Sequence, residues 1–178
     1  FPEGVDGSKL SSTSITADIP WSEEQVLQAK ETRLRPVTIP ISENLKDVVR
    51  DSFLEGRDSV EIFEGLNEQN EVVAYGLPLV GKGLWGTIEG FGVISVDLDK
   101  MVGIDFTKQV ETPGLGARII EQEYKFFFRN LDLSEFSKTD TDQPPIVMVK
   151  KKERTNVEES TNSVQAITGA TKTSQGVL

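Results

Sequence analysis

The stretch "GTIEGFGVISVDLDKMVGIDFTKQV", residues 86–110, carries the pattern that decides the fold. Apolar side chains recur at alternate positions on both sides of the polar segment "DLDK", residues 97–100. Alternation of this kind predicts two half-buried strands, and the short polar segment predicts that they pair as a hairpin. Residues 86–110 therefore predict antiparallel strands rather than helices.

A second hairpin is predicted directly upstream. The segments "SVEIFEG", residues 59–65, and "EVVAYGL", residues 71–77, flank the polar turn "NEQN", residues 67–70. Consecutive hairpins with helical segments around them, and without βαβ alternation, indicate the α+β class with an antiparallel sheet. We therefore expect one α+β domain over residues 21–178, preceded by an irregular leader at residues 1–20.

Helical patterns precede the sheet. Ser22 and Gln25 have the spacing of a capping box, and Trp21 can pack against Val26 as a hydrophobic staple. After an extended link between two prolines, Pro36 and Pro40, apolar residues follow helical spacing from Ile41 until Gly56. The sequence thus predicts two helices, the second of which packs on the sheet.

The region after the hairpins predicts a sharp turn, a helix and a late strand. In "ETPGLGARIIEQEYKFFF", residues 111–128, Thr112 precedes a proline and must be extended, and the glycines allow a tight turn into a helix. "PPIVMVKKKER", residues 144–154, predicts a strand. Gly90 and Gly92 within the hairpin leave room either for a bulge and close packing or for a ligand groove.

Composition narrows the possible chemistry. The 178 residues contain no cysteine and no histidine, which excludes thiolate nucleophiles, imidazole bases and zinc sites built from these residues. A net charge of −10 opposes nucleic-acid binding, which needs lysine and arginine to neutralise phosphates. No apolar run approaches the length of about 20 residues that spans a bilayer. We expect a chain that begins with Phe1 to be a processed or engineered fragment.

The segment "AITGATKTSQG", residues 166–176, places hydroxyl side chains around a Gly-Ala step. Gly169 can adopt dihedral angles that are barred to other residues, and residues 171–174 would form the first turn of a helix. Free amides in such a turn can bind a phosphate, and a threonine Oγ there can be joined to one covalently. The same pattern also suits a simple helix cap, and spacing alone leaves both interpretations open.

Three ordered motifs resemble the FMN-binding domain family. "ITGATKTS", residues 167–174, is similar to the family signature Ser/Thr-Gly-Ala-Thr-x-Ser/Thr. "GKGLWG", residues 81–86, and "ETPGLGARI", residues 111–119, occur in the order and spacing that the family shows. With the hairpin they cover the second half of the chain. The best-known members are the RnfG and NqrC subunits of redox-driven, ion-pumping membrane complexes.

The resemblance implies a cofactor site on these motifs. Thr171 matches the threonine to which the family joins FMN through a phosphoester bond. Thr173 and Ser174 are expected to offer their hydroxyls to the phosphate, and the Trp85 ring to stack on the isoalloxazine. The full set of residues that match flavin-binding segments is Thr168, Gly169, Ala170, Thr171, Lys172, Thr173, Ser174, Leu84, Trp85, Gly86, Glu111, Thr112, Pro113, Gly114, Leu115 and Gly116.

The charged residues near these motifs allow two interpretations. Lys172 and Arg118 either add positive potential at the flavin or are exposed side chains at helix starts. No catalytic residue and no metal site is expected, because a bound flavin carries the redox chemistry while the protein supplies tethering and orientation. A chain without cysteine and histidine is consistent with that division of work.

The resemblance also implies a setting. It implies an electron-carrier subunit of an ion-translocating oxidoreductase complex rather than a stand-alone enzyme. The implied partners are the other subunits of an Rnf- or Nqr-type complex and a flavin transferase. An N-terminal membrane helix, absent from this sequence, would hold the domain on the extracytoplasmic, periplasmic side of the inner membrane.

Other functions also fit parts of the sequence. Gln165 stands where the transferase motif usually has Asp, which keeps a noncovalent or apo flavin-binding module in consideration. The acidic composition also fits an extracytoplasmic interaction or scaffold protein without a redox role. A carboxylate hydrolase that uses Glu111 with Asp105 or Glu89 is a further alternative, because strands rich in acidic residues supply such pairs.

Overall fold

The computed structural model describes residues 22–47, 49–50, 52–134, 146–149 and 163–177. The chain divides into two compact units between Thr32 and Arg33. Three predicted features lie wholly or partly outside the described residues: the leader at residues 1–20, the staple residue Trp21, and residues 144–145 and 150–154 of the late strand.

The first unit contains all but the last residue of one described helix, α1 (Glu23–Arg33). The Ser22 backbone N–H donates to Gln25 Oε1 at 2.9 Å, and the Gln25 backbone N–H donates to Ser22 Oγ at 3.2 Å. These two bonds satisfy amides that have no partner at a helix start. The predicted capping box is therefore confirmed.

The second unit is built on a six-stranded antiparallel sheet whose strands follow one another in chain order. The strands are β1 (Leu34–Pro40), β2 (Ser59–Leu66), β3 (Val72–Lys82), β4 (Thr87–Ser95), β5 (Lys100–Lys108) and β6 (Leu131–Asp132). β2 pairs with β3 and β4 pairs with β5, so both predicted hairpins are confirmed. Residues 83–86 join β3 to β4, which links the two hairpins into one continuous meander.

β1 lies at one edge of the sheet. The sequence predicted only an extended link here, but Pro36 and Pro40 pair opposite Phe63 and Ser59 of β2. An edge strand tolerates proline because one of its sides has no ladder of hydrogen bonds to lose. The predicted link is thus an additional strand.

The helix predicted between Ile41 and Gly56 is wrong for the described part of that segment. One 3-10 turn, Glu43–Leu45, is followed by further turns. The Ser42 hydroxyl donates to Asn44 Oδ1 at 2.5 Å, a local bond of the kind that competes with helix formation. Polar side chains at the start of the segment therefore outweigh its apolar spacing.

The glycines of β4 serve close packing within the sheet. The register with β5 shifts between Glu89 and Gly90, and a Cβ on Gly90 would lie 2.3 Å from the Asp105 carbonyl oxygen. A Cβ on Gly92 would meet Leu79 Cδ1 at 3.1 Å. Of the two interpretations left open by the sequence, the structure supports the bulge and close packing.

The remaining elements pack on one face of the sheet. They are a 3-10 helix (Gly116–Ile120), α2 (Gln122–Phe126), the parallel pair β7 (Val147–Val149) and β8 (Ser163–Gln165), and α3 (Thr171–Gln175). The buried core between them and the sheet consists of Ile88, Met101, Ile104, Ile119, Tyr124, Phe128, Leu131, Leu133, Val164, Ile167 and Ala170. The late strand was predicted, whereas β8 was not, because its surroundings in the sequence are polar.

Candidate functional site

Three segments that are distant in sequence meet beyond one end of the sheet. We call them the LWG turn (residues 83–86), the ETPGLG segment (111–116) and the GAT turn (167–174). Side chains of the ETPGLG segment contact both of the others. All the residues that the resemblance singled out lie in these segments, and the fold brings them together.

The Glu111 side chain connects the three segments. It is only 5% exposed, and its Oε1 accepts the Trp85 backbone N–H at 2.9 Å while Oε2 accepts that of Leu84 at 3.2 Å. The Thr173 hydroxyl also donates to Oε2. The Glu111 backbone N–H donates to Gln109 Oε1 at 2.7 Å. A single buried carboxylate is therefore held by donors from the LWG turn and from α3.

Burial and hydrogen bonding shift the pKa of Glu111 in opposite directions. Burial raises the pKa of the carboxyl, but hydrogen bonds from the Thr173 hydroxyl and from the backbone of residues 84–86 outweigh that effect. The pKa consequently lies below its ordinary value of 4.5. Donated hydrogens stabilise the ionised carboxylate, so Glu111 is negatively charged at neutral pH.

Glycines make room for this carboxylate. A Cβ on Gly83 would lie 2.5 Å from Glu111 Oε1. A Cβ on Gly116 would lie 2.6 Å from Thr173 Oγ1 and 2.7 Å from Glu111 Oε2. Real Cβ atoms do not approach oxygen so closely, so a larger residue at either position would displace the Glu111 or Thr173 side chain. Gly86 is similarly confined, since its Cβ would lie 2.6 Å from Val110 Cγ2.

The ETPGLG segment forms a tight turn on the surface. The Thr112 carbonyl oxygen accepts the backbone N–H groups of Leu115 and Ala117, both at 3.1 Å. Pro113 and Gly114 are exposed at the tip, and Gly114 has a φ of 75°, which favours glycine. The sharp turn predicted from the sequence is confirmed.

Apolar and aromatic side chains are exposed around these turns. Trp85 is 67% exposed, Leu84 50% and Leu115 44%. The Trp85 indole N–H donates to Thr112 Oγ1 at 2.9 Å, which fixes the ring against the ETPGLG segment. Leu84 and Trp85 also line an open groove of about 590 Å³, together with the last residues of β3 and with Phe53. Large exposed side chains of this kind are typical of a binding surface.

The GAT turn separates its hydroxyl groups into two pairs. Thr168 and Thr171 are exposed, whereas Thr173 is 1% exposed and Ser174 is completely buried. Ser174 Oγ accepts the Ile167 backbone N–H at 3.0 Å and so closes the turn. Thr171 is the first residue of α3 and is exposed.

The buried pair has different partners from those expected. The Thr173 hydroxyl donates to Glu111, and the Ser174 hydroxyl oxygen is bonded to the backbone of the turn itself. A phosphate at Thr171 would therefore not find the hydroxyl proton of Thr173 free. In this structure both side chains hold the turn, and their contact with a phosphate stays a prediction.

Backbone geometry explains the Gly-Ala step. Gly169 has a φ of 81°, which few other residues adopt, and its Cβ position would lie 3.3 Å from Leu115 Cδ2. Ala170 is buried, and its carbonyl oxygen accepts the Ser174 backbone N–H at 2.9 Å. Small residues therefore allow the turn to pack directly on the ETPGLG segment.

The charged candidates differ in their surroundings. Lys172 is exposed on α3. Arg118 lies in the 3-10 helix, where its Nε donates to Glu121 Oε2 at 3.0 Å, so its charge is already paired. Gln165 ends β8 and lines a second, smaller groove together with Arg118 and Thr168.

Sequence reasoning did not select Gly83 or Gln109. Gly83 belongs to the quoted "GKGLWG", and a glycine just before exposed apolar residues is a usable signal for close backbone approach. Gln109 gave no signal, because its contact with Glu111 depends on how the chain bends after β5. Gly81 and Gly176 were also missed, although a Cβ on Gly81 would lie 1.7 Å from the Gly176 carbonyl oxygen.

The carboxylates proposed for a hydrolase are engaged elsewhere. Asp105 accepts a hydrogen bond from Lys125 at 2.9 Å, and Glu89 accepts one from Lys108 at 2.7 Å. Glu111 is buried among its own donors. Each of these carboxylates is therefore neutralised or enclosed, and nothing in their contacts favours acid–base catalysis.

Metal ligands and membrane-spanning helices are not found in the described part of the chain. Its residues include no group of three or more aspartates and glutamates arranged to hold a metal ion. No helix among them is long and apolar enough to cross a membrane.

The comparison with protein families agrees with this geometry. The family model described as the FMN-binding domain matches residues 83–178, a range that includes all three segments and more than half of the chain. Fold and site thus define a flavin-binding domain. The chain belongs to the FMN-binding domain family, and this membership supports FMN as its cofactor.

Relatives and solved structures give a more particular likeness. The NqrC subunit of the Na⁺-translocating NADH-quinone reductase of Chlamydia pneumoniae is 33% identical over 136 residues, which are 70% of this chain and 42% of that protein. The crystal structure of Shewanella oneidensis NqrC has a TM-score of 0.69 at 18% identity and covers 88% of this chain and 80% of its own.

A second crystal structure, of NqrC from Parabacteroides distasonis, has a TM-score of 0.62 at 24% identity and covers 86% of this chain and 75% of its own. At these identities the likeness shows the fold, and it confirms the α+β class. The chain spans about half the length of the curated relatives it matches, with 42% and 54% for the first two.

Proposed function

We propose that the chain is the FMN-carrying domain of an electron-transfer subunit in a membrane complex similar to Na⁺-translocating NADH-quinone reductase. In this proposal the FMN phosphate is joined to Thr171 Oγ1, and the domain lies on the extracytoplasmic side. The observation that carries it is that Thr171, the first residue of α3, is exposed in a turn whose later hydroxyl residues, Thr173 and Ser174, are buried.

The residues around Thr171 fit a flavin. The ring system of FMN is planar and largely apolar on its faces, and Leu84, Trp85 and Leu115 expose apolar or aromatic surface on the adjoining segments. The phosphate is charged and suits the solvated side of the GAT turn, where Thr171 and Lys172 are exposed. Apolar and polar parts of the cofactor would thus each meet matching surroundings.

Attachment requires an activated flavin phosphate. Thr171 Oγ1 forms a bond to the FMN phosphorus of flavin adenine dinucleotide, the pyrophosphate bond breaks, and adenosine monophosphate leaves. The hydroxyl proton passes to a base of the flavin transferase. Within the described residues Thr171 is exposed at the start of α3, a position that a second enzyme can approach.

Exposure of the site suits an electron carrier. When bound, FMN supplies the redox chemistry. The chain itself tethers the phosphate at Thr171 and offers Trp85 as a stacking surface, and both residues are exposed. An open site of this kind allows another subunit to approach the cofactor, whereas a stand-alone enzyme usually encloses its substrate.

Flavin attachment can be tested with one pair of variants. The wild-type chain is incubated with a flavin transferase and flavin adenine dinucleotide, and flavin fluorescence is recorded on a denaturing gel. We expect a fluorescent band for the wild type and for Thr168→Ala, and none for Thr171→Ala. Thr168 is the matched control because it is the other exposed hydroxyl of the turn.

The same gel distinguishes covalent attachment from a second candidate function, which is flavin binding without a covalent bond. Gln165 replaces the Asp of the transferase motif, which favours a domain that binds flavin without a covalent bond. In that case the wild-type band is dark, while the native protein still binds FMN in a titration. A fluorescent Thr171→Ala band would instead refute the assignment of the attachment residue.

A further inference from the structure

The contacts of Glu111 point to a role other than cofactor contact. Both carboxylate oxygens accept hydrogen bonds from elsewhere in the protein: Oε1 from the Trp85 backbone, and Oε2 from the Leu84 backbone and the Thr173 hydroxyl. The side chain is 5% exposed. A carboxylate with its oxygens occupied and its surface covered faces inward, toward the segments that it joins.

The space around the Glu111 carboxylate is confined by two glycines. Gly83 and Gly116 lie on two sides of it, and a Cβ on either would come within 2.5 Å and 2.7 Å of its oxygens, respectively. Among the described residues no lysine or arginine forms an ion pair with Glu111, so hydrogen bonds alone compensate its charge. The charge therefore depends on the LWG turn and α3 keeping their positions.

These positions determine the geometry of the proposed flavin site. Trp85 is held at two points: its backbone N–H donates to Glu111, and its indole N–H donates to Thr112. Thr171 lies two residues before Thr173, whose hydroxyl is bonded to the same Glu111 oxygen that binds the Leu84 N–H. One carboxylate thus links the stacking side chain to the attachment residue.

We propose that Glu111 is a positioning residue that couples the LWG turn to the GAT turn, so that a flavin attached at Thr171 meets the ring of Trp85. This inference rests on the proposed function. Glu111 acts through Trp85 and Thr173 and does not itself contact the flavin. The ETPGLG segment accordingly contributes a buried side chain, Glu111, in addition to its exposed tip.

Glu111 accepts hydrogen bonds from the LWG turn and from the GAT turn, and three variants separate these two halves of the coupling. Thr173→Val is nearly isosteric and removes only the bond to the GAT turn, whereas Glu111→Gln replaces one acceptor oxygen by a donor and weakens both halves. The double variant tests whether the two residues act through one contact. Glu64→Gln is the matched control, because Glu64 accepts a hydrogen bond from Arg35 at 2.6 Å in β2, outside the three segments.

The first measurement needs no flavin. The chain has two tryptophans, so Trp21→Phe leaves Trp85 as the single emitter. We expect Thr173→Val and Glu64→Gln to keep the wild-type emission and acrylamide quenching of Trp85, and Glu111→Gln to increase the quenching. Circular dichroism confirms that each variant is folded at the assay temperature.

The second measurement follows the attached flavin in the native protein. Trp85 stacking quenches flavin emission, so Glu111→Gln and Thr173→Val should both brighten it relative to the wild type and Glu64→Gln. Each should also slow attachment by about tenfold, the equivalent of one lost hydrogen bond to a charged group. The double variant should be no slower than Glu111→Gln alone.

Outcomes for the two proposals are distinct. If the wild type acquires flavin on Thr171 and the Glu111 and Thr173 variants match its attachment rate and emission, the positioning role is refuted while the proposed function stands. A double variant whose effects are fully additive also refutes the coupling. If the wild type does not acquire flavin at all, the proposed function is refuted and the positioning role with it.

Discussion

The sheet and the junction of the three segments are held together in different ways. In the sheet, β1 to β6 pair with their neighbours in chain order, and exposed carboxylates such as Glu89 pair with basic side chains across adjacent strands. In the junction, Glu111 bonds to Trp85, Leu84 and Thr173 across 26, 27 and 62 residues of sequence, and it is buried.

The difference concerns how each region tolerates change. Hairpin contacts are numerous and local, so the loss of one surface ion pair leaves the neighbouring ladder intact. The junction depends on one carboxylate and on glycines that leave no spare room. The sheet thus tolerates single substitutions, whereas the junction that it supports does not. Four stability measurements, given in order of decreasing effect, test this difference between the sheet and the junction.

The largest difference is expected between two glutamates. Glu111→Ala removes a buried acceptor and leaves the donors of Leu84, Trp85 and Thr173 without it, and should lower the free energy of unfolding by about 3 kcal/mol. Glu89→Ala removes a surface pair and should change it by less than about 0.5 kcal/mol. Urea denaturation measures both. Equal losses would show that the junction is no more sensitive than the sheet.

Two glycines offer the next comparison. Gly116→Ala places a Cβ within 2.6 Å of Thr173 Oγ1 and 2.7 Å of Glu111 Oε2. This overpacking should lower the free energy of unfolding by about 2 kcal/mol. Gly103 in β5 has no heavy atom within 4 Å of its Cβ position. Gly103→Ala should therefore stabilise the chain by about 0.5 kcal/mol.

Thermal melts of the two glycine variants provide the check. A Gly116→Ala protein as stable as Gly103→Ala would mean that the GAT turn and the ETPGLG segment can separate without cost. Close packing of the junction would then be contradicted.

The pH dependence of stability should report on the Glu111 carboxylate. Its pKa in the folded state lies below the ordinary 4.5, so its ionised form stabilises the fold above that pH, and the contribution is lost as pH falls through the folded pKa. The stability advantage of the wild type over Glu111→Gln should therefore shrink below pH 4.5. Urea denaturation from pH 7 down to about pH 3 follows it. An advantage that stays constant over this range would contradict the assignment.

The smallest effect is expected in the core between the sheet and its covering elements. Tyr124 packs edge-on against Phe128, and its hydroxyl is buried without a hydrogen-bond partner in the described structure. Burial raises the pKa of this hydroxyl, which stays protonated. Tyr124→Phe removes an unpaired polar group and should raise the free energy of unfolding by up to about 1 kcal/mol. A clear destabilisation would reveal a partner for the hydroxyl.

Periodicity in the sequence predicted the sheet because hairpins are local. Alternating residues on either side of "NEQN" and "DLDK" are sufficient to specify β2 to β5. The same reasoning failed between Ile41 and Gly56, where side chains such as Ser42 bond locally and override apolar spacing. It also missed β8, which pairs in parallel with the distant β7.

The sequence grouped the candidate residues but did not give their burial or contacts. Motif resemblance gathered the residues of the three segments, and the fold brings those segments together. It could not tell that Thr173 and Ser174 are buried while Thr171 is exposed, because that depends on how α3 packs. Nor could it show that Glu111 is buried, since its donors come from distant parts of the chain.

The attachment of FMN to Thr171 can be tested most directly by mass spectrometry of the transferase-treated chain. Trypsin cleaves after Arg154 and Lys172, so Thr168 and Thr171 fall in peptide 155–172 while Thr173 and Ser174 fall in peptide 173–178. We predict that peptide 155–172 gains the mass of FMN less one water, with fragment ions that place it on Thr171. A flavin on peptide 173–178 or on Thr168, or no flavinylated peptide at all, would contradict the account.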